Sequence, residues 1–353
     1  MRKKRILVAP LNWGLGHATR CIPIIVVLKD NGFEPVIASD GVALALLKKE
    51  FPDLLALELP SYKIQYAQNG ENFKWKLFKQ LPNMFRAVRN EQKQVEKWLT
   101  EYGIEGIISD NRLGVHSKKV PSVFITHQLN VLTGNTSWFT TKIHHWFIEK
   151  FDICWVPDVS GKPNLSGKLG HLAKTELNIR YIGPLSRLHK KPMEEIYDLM
   201  VILSGPEPQR TLLENKLNEE LKNYDGKIIF IRGVVENEQK ITSRFNITSY
   251  NFMNSSELET AFNQSKMVLC RSGYTTIMDL AHLDKKAFFI PTPGQYEQEY
   301  LAKKLKKKGL VPSCKQDSFK TAHLLQIDMY KGLQNVLKEA PDWPELFGLF
   351  QSK

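Results

Sequence analysis

Cysteine is scarce and scattered in this chain: Cys21, Cys154, Cys270 and Cys314 are its 4 cysteines, and no two form a C-x-x-C pair. That spacing argues against a disulfide framework or a zinc site and for a reducing compartment, the cytoplasm. Long apolar runs are missing too; none approaches the roughly 18 residues that cross a bilayer, so any work at a membrane is expected from its surface, as a peripheral protein on the inner face. Met1 to Leu11 starts basic and holds a short apolar run, but Asn12, His17 and Arg20 follow without a small-residue cleavage site. The stretch is expected to be a first strand, not a signal peptide. Acidic residues are in deficit, 37 against 49 Lys and Arg, and the net charge of +12 implies a polyanionic partner. Nucleic acid, an anionic membrane or a phosphorylated substrate would each suit that charge. No recognised nucleic-acid motif is present, and the basic residues are interleaved with large apolar ones at helical spacing, which speaks against nucleic acid.

With 353 residues, 42% apolar and 24% charged, the chain is long enough for two globular domains. Arg5 to Pro10 reads as a buried strand. The loop Leu11-Asn12-Trp13-Gly14-Leu15-Gly16-His17, a helix over Thr19 to Asp30 and a strand over Pro35 to Ser39 complete a βαβ unit. The glycines begin like a dinucleotide fingerprint, but Thr19 stands where the third glycine belongs and His17 stands where a pyrophosphate would approach, so an NAD site is disfavoured. Gly106 to Asp110 and Ser122 to Thr126 are further strands. Strand carboxyl ends line the ligand crevice of a parallel sheet, so His17, Asp110, His127 and Asn130 are expected to converge there. For His17 the plain alternative is a histidine that caps the helix.

Residues 73–99 interleave Lys74, Lys76, Lys79, Arg86, Arg89, Lys93 and Lys97 with Phe73, Trp75, Leu77, Phe78, Leu81, Met84, Phe85, Val88 and Trp98. That pattern suits a basic amphipathic helix in the headgroup layer of an anionic membrane, and equally a helix packed on the sheet with a solvated basic face. Residues 138–151, WFTTKIHHWFIEKF, repeat the character.

Asp152 to Pro157 and Tyr181 to Pro184 close the first domain, and the polar run Leu185 to Glu195 reads as a linker. A strand at Leu199 to Leu203 then meets the turn Ser204 to Arg210, a helix mouth from which two prolines remove N–H donors. Lys227 to Ile231 and Ile247 to Phe252 continue the second sheet. The most telling stretch is Cys270 to Ala302, CRSGYTTIMDLAHLDKKAFFIPTPGQYEQEYLA. A buried strand ends at Cys270, turns at Arg271-Ser272-Gly273 and enters a helix with Ile277, Leu280, Ala281 and Leu283 on one face and Asp279 two turns in. A small-residue turn at a helix mouth is a ready site for a diphosphate. After the next strand come Pro291-Thr292-Pro293-Gly294 and a polar helix start, Glu297-Gln298-Glu299, whose groups could read sugar hydroxyls.

Arg-Ser-Gly, an acid six residues after the glycine, an apolar strand, Pro-x-Pro-Gly and Gln-Glu-Tyr-x-x-Ala in that order resemble the nucleotide-sugar half of GT-B glycosyltransferases. Among these the resemblance is to family 28, with its lipid II-forming N-acetylglucosaminyltransferases. Gly-x-Gly-His-Ala-Thr-Arg is similar to the first loop of the GT-B acceptor domain, and SVFITHQLNVLTG to the acceptor loop, with Gln128 where the family has an acid. The resemblance implies an α/β fold of two Rossmann-like, doubly wound parallel-sheet domains facing a central cleft. It places an acceptor domain at residues 1–185, with 335–353 crossing back onto it, and a donor domain at 186–334. It further implies that Asp279 holds the ribose, Gln298 and Glu299 contact the sugar, Met253 and Asn254 lie beside the uracil, and Arg187 reaches the diphosphate. Ser204 matches a family phosphate loop that is Gly-Gly-Ser in relatives, and Glu299 replaces a glutamine.

Inverting transfer needs a base for the acceptor hydroxyl and positive charge for the leaving diphosphate. His17 is the first candidate base and Asp110 the second; His127, Gln128 and Asn130 would orient the acceptor. Arg187, Ser204, Arg271, Ser272 and Gly273 would serve the diphosphate. Asp-x-Asp is absent from the chain, and none of these contacts needs a metal, so no cofactor is expected. The expected activity is transfer of N-acetylglucosamine or another hexose from a UDP-sugar to a lipid-linked or glycan acceptor. A GT-B UDP-sugar epimerase and a polyanion-binding protein are the alternatives.

Overall fold

The computed structural model describes residues 2–62, 73–234, 236–333 and 341–351, without the side chains of 73–83 and 135. The chain forms two compact units, Met1–Pro157 with Gly170–Ile182 and Pro341–Lys353, and Asp158–Leu169 with Gly183–Ala340.

In the first unit, strands β1 (Arg5–Pro10), β2 (Glu34–Ser39), β3 (Ala56–Glu58), β4 (Ile104–Asp110), β5 (Ser122–Ile125), β6 (Ile153–Val156) and β7 (Ile179–Tyr181) form one parallel sheet in the order β3-β2-β1-β4-β5-β6-β7. Its central strands read as unbroken apolar runs because both faces are buried; Ile6 to Ala9 and Val123 to Ile125 are 0% exposed. Helices α1 (Gly16–Asp30), α2 (Gly41–Glu50), α3 (Phe73–Glu101) and α4 (Ser137–Ile148) connect the strands. The last helix of the chain, Trp343–Gln351, packs here as well, with Phe33 and Phe347 edge to face at 5.7 Å. Gly106 is the reason it fits: a Cβ on that residue of β4 would stand 2.5 Å from the Phe350 ring. Residues 335–340 of the expected return segment lie outside the described residues.

In the second unit, β8 (Tyr197–Ile202), β9 (Ile228–Ile231), β10 (Ile241–Arg244), β11 (Ile247–Tyr250), β12 (Ser265–Cys270) and β13 (Lys286–Phe289) run in the order β10-β11-β9-β8-β12-β13, parallel except for the β10–β11 hairpin. Helices α5 (Gln209–Glu220), α6 (Ser255–Asn263), α7 (Tyr274–Leu283) and α8 (Tyr296–Lys307) accompany them. Val201, Phe230, Leu269 and Phe288 centre the core. In both sheets the strand order reverses, between β1 and β4 and between β8 and β12. Ligands of open parallel sheets bind at such switch points, beyond the strand carboxyl ends.

Two boundaries differ from the sequence expectation. Asp158–Leu169, placed above in the first domain, belongs to the second unit: Lys304 Nζ donates to the carbonyls of Asn164 and Leu165 at 2.7 Å, and the Asp158 carboxylate takes the N–H groups of Leu165 and Ser166. Leu185 to Glu195 is not a solvated linker over its first half. His189 N donates to Glu259 Oε2 at 2.7 Å and Lys191 N to Asn263 Oδ1 at 2.9 Å, so polar composition here reflects partners on α6, not water.

Candidate functional site

Helix α1 starts at Gly16, earlier than the sequence implied, which puts His17 in its first turn. His17 Nδ1 lies 2.7 Å from Asp110 Oδ1. One turn on, and so on the same face of α1, Arg20 is 1% exposed. Its Nε donates to Asp110 Oδ2 at 2.5 Å and its Nη2 to Asp110 Oδ1. The same guanidinium stands 2.8 Å from His17 Nδ1 and, through Nη1, 3.1 Å from His127 Nδ1. Asp110 ends β4 in register with Pro10 of β1, and its carbonyl takes the N–H of Leu11 at 2.9 Å. Of the four residues expected to converge, the contact seen for Asn130 is to the His171 carbonyl, while His17, Asp110 and His127 meet, gathered around an arginine that sequence reasoning missed. Its signal was the arginine one helical turn after the histidine in Gly-x-Gly-His-Ala-Thr-Arg.

Burial would raise the Asp110 carboxyl, but Arg20 and His17 outweigh it and hold the group well below the usual carboxylate range. A carboxylate so acidic and so fully engaged makes a poor proton acceptor, which argues against Asp110 as the base and for its orienting His17. The other acceptor-loop residues have their own contacts. Gln128 is half-buried, its N–H donating to Thr126 Oγ1, and Asn130 Nδ2 reaches the His171 carbonyl at 3.5 Å. His145 on α4 pins the loop by donating Nε2–H to the Leu129 carbonyl at 2.8 Å.

In the second unit, α7 opens at Gly273 with no side-chain cap and no acid in its first turn. Gly273 has an ordinary φ of −69°, and a Cβ there would meet nothing nearer than Thr276 Oγ1 at 4.0 Å. The fold itself does not demand glycine at this position. Asp279, two turns further, accepts a hydrogen bond from Ser186 Oγ at 2.7 Å. Burial pushes its carboxyl up to about 6, against the opposing pull of Ser186 and Arg187. Arg187 donates from Nη1 to Ser255 Oγ at 2.7 Å. Met253 is half-buried beside Asn254, whose side chain caps α6 in a reciprocal box with Glu257.

Other expected donor contacts turn out to hold the fold. Arg271 is 1% exposed and donates to the carbonyls of Ile290, Pro291 and Gln209 and to Gln316 Oε1. Its charge is spent tying strand ends together, and burial lowers it to about 10. Ser272 Oγ turns to the Gln298 carbonyl at 2.8 Å. Ser204 is exposed, and the mouth of α5 beyond it is filled by Glu207, which accepts from Thr211 N and Arg210 Nε, so a phosphate there would meet a like charge. Gln298 Oε1 accepts from Thr292 N at 2.8 Å and Glu299 Oε1 from Gly294 N at 2.9 Å. Both therefore shape the Pro-x-Pro-Gly loop, leaving the Gln298 amide nitrogen and the second Glu299 oxygen for any ligand. Among the described residues, no three His, Cys, Asp or Glu side chains come together to hold a metal ion.

The aromatic and basic segments divide. From Val88 onward α3 packs Val88, Val95, Trp98 and Leu99 into the core, so the packed-helix reading holds there; the side chains of 73–83 lie outside the described residues. On α4, Trp138 is 75% and Trp146 49% exposed, with Lys142 and Lys150 over their rings. No described helix is long and apolar enough to cross a membrane.

Residues 207–345 match the glycosyltransferase family 28 C-terminal domain. A curated relative from Haemophilus ducreyi, UDP-N-acetylglucosamine--N-acetylmuramyl-(pentapeptide) pyrophosphoryl-undecaprenol N-acetylglucosamine transferase, is 23% identical over 242 residues, which is 66% of this chain and 63%, less than two thirds, of that protein. Similar solved structures include MurG of Acinetobacter baumannii (TM-score 0.60, 13% identity, 99% of each chain) and SnogD of Streptomyces nogalater (TM-score 0.66, 12% identity, 99% of this chain and 100% of that one). LpCGTa in complex with UDP has a TM-score of 0.64 at 10% identity, covering 100% of both chains. These relatives do not favour the epimerase alternative. The chain thus has the GT-B fold, carries a family 28 match over its second half, and resembles the glycosyltransferases of that family.

Proposed function

We propose that this protein is an inverting glycosyltransferase that moves a hexose, N-acetylglucosamine foremost, from a UDP-sugar to a hydroxyl of a lipid-linked or glycan acceptor. The observation that carries the reading is His17, whose Nδ1 is 2.7 Å from a buried carboxylate at the switch point of its sheet. In the reaction His17 Nε2 takes the acceptor hydroxyl proton while that oxygen bonds to the anomeric carbon. The bond from that carbon to the diphosphate oxygen breaks, and UDP departs. Asp110 orients the imidazole and steadies the positive charge it gains. The N-terminus of α7, with no acid in its first turn, and Arg187 are suited to the diphosphate, and room at Gly273 suits its close approach. Asp279 is suited to the ribose hydroxyls. The donor sugar and the lipid-linked acceptor rest on what the Haemophilus ducreyi relative is named for. Gln128 and Glu299, which depart from the family pattern, are where a different acceptor or sugar would be read.

Melting curves test the donor site. UDP or UDP-N-acetylglucosamine at about 100 times its dissociation constant is expected to add roughly 2.7 kcal/mol, with GDP and NAD adding little. If no uridine nucleotide shifts the curve, the donor site is not where we place it. None of the proposed contacts needs a metal, so transfer is expected to persist in excess chelator, and its loss would count against that part of the reading.

We also propose that α4 rests on an anionic membrane, Trp138 and Trp146 entering the headgroup layer beside Lys142 and Lys150. Flotation with phosphatidylglycerol vesicles is expected to carry the protein up, phosphatidylcholine vesicles to leave it behind, and Trp138→Ser with Trp146→Ser to abolish binding. Equal flotation of the double variant would remove the membrane assignment from this helix.

A further inference from the structure

The cluster around Arg20 contains more information than a histidine and its carboxylate. A neutral imidazole has one N–H and one lone pair, whereas a guanidinium only donates. His127 Nδ1 faces Arg20 Nη1 at 3.1 Å, so it must present its lone pair, and the ring proton sits on Nε2. A His127 imidazolium is disfavoured for the same reason, since its Nδ1–H would point at an N–H. His144 of α4 also interacts with His127, and burial lowers it to about 4, so it stays neutral. At His17 the geometry dictates the reverse. Its Nδ1 is 2.7 Å from an oxygen of ionised Asp110, an approach that requires a proton between the two atoms. Arg20 Nη2, although 2.8 Å from the same nitrogen, has Asp110 Oδ1 as its acceptor.

We propose that Arg20 is a positioning residue that sets the two histidines in opposite tautomers, leaving His17 basic at Nε2 and His127 a hydrogen-bond donor at Nε2. One guanidinium, by occupying Asp110 and facing His127, separates a proton acceptor from a proton-bearing donor within a single crevice. With its proton on Nε2, His127 does not compete for the proton of an acceptor hydroxyl. The words base and acceptor rest on the transferase reading above; the tautomers themselves do not.

Long-range nitrogen–proton NMR of the full chain labelled with nitrogen-15 histidine, near neutral pH, reads the tautomers directly, with His17→Gln and His127→Gln assigning the signals. The expected result is a protonated Nδ1 on His17 and a protonated Nε2 with bare Nδ1 on His127. A proton on His127 Nδ1, alone or together with Nε2, overturns the proposal. Removing Arg20 alone would strand a buried carboxylate, so the second sample is Arg20→Met with Asp110→Asn. There His127 is expected to relax to a mixture of tautomers, and an unchanged His127 signal would show that Arg20 does not set it. If this variant fails to fold, the wild-type spectrum still decides the tautomers. No transfer activity enters the readout, so the tautomer assignment and the transferase reading fail separately.

Discussion

Replacing His17 by alanine is expected to lower kcat for transfer from UDP-N-acetylglucosamine to a lipid-linked acceptor by roughly 10² to 10⁴, the usual worth of a positioned base, while the UDP-induced melting shift stays within error of wild type. The two readouts part because the imidazole acts on the acceptor proton and the nucleotide contacts proposed here lie on the other unit. Stability is expected to change by only about 1 kcal/mol, the value of one hydrogen bond, since Asp110 keeps both contacts to Arg20. UDP release assayed with acceptor present, alongside melting curves, checks both. Normal turnover in the variant would remove His17 from the chemistry; loss of the UDP shift would mean that it serves the donor instead.

Asp279 is expected to give the second large effect, with a sign that depends on pH. As an ionised acceptor of ribose hydroxyls it would contribute about 1.5 to 3 kcal/mol, so Asp279→Asn should weaken UDP binding about 10- to 100-fold. In the protein without nucleotide, the same substitution is expected to stabilise. Burial raises the folded carboxyl to about 6, above the unfolded value near 3.9, so the folded state holds the proton more tightly. Stability from this group is therefore full below about pH 4 and lost as pH rises toward and through about 6. Above that pH the ionised carboxylate imposes a cost on the order of 1 to 2 kcal/mol, allowing for its partial exposure, which asparagine removes. The variant should thus melt a few degrees higher than wild type at pH 7.5 and no higher at pH 4. For wild type, UDP affinity should fall as pH drops through about 6. A variant that binds UDP normally at pH 7.5 would take Asp279 out of the donor site.

Much of the architecture was legible in the residues because parallel strands buried on both faces must be apolar throughout. Arg5 to Pro10, Ser122 to Thr126 and Met267 to Cys270 announce themselves in this way, and the polar residues that follow them mark the crevice end. Hence the meeting of His17, Asp110 and His127 could be expected before any coordinates. Arg20 could not, since a helix position says which face a side chain shares and not which carboxylate it will meet. The opposite occurred at Arg271, Ser272 and Ser204, while Gln298 and Glu299 each give one oxygen to the loop and keep a second polar atom. Each stands beside a loop of the right kind, yet whether a polar group faces ligand or backbone depends on which carbonyls and N–H groups the neighbouring strands leave unpaired.

By itself, then, the sequence determined two sheets of mainly parallel strands, most of those strands and the ends at which chemistry would gather, because burial and periodicity are local and repeat along the chain; the short β3 and the exposed β10, which pairs antiparallel with β11, carry no such apolar run. Only the tertiary structure decided that Asp158–Leu169 joins the second unit, that the last helix closes on Gly106 of β4, and that one buried arginine binds Asp110 while facing two histidines. Those outcomes depend on hydrogen-bond partners far apart in the chain, such as Lys4 Nζ and the Phe350 carbonyl, 346 residues apart, and no local pattern encodes a partner at that distance.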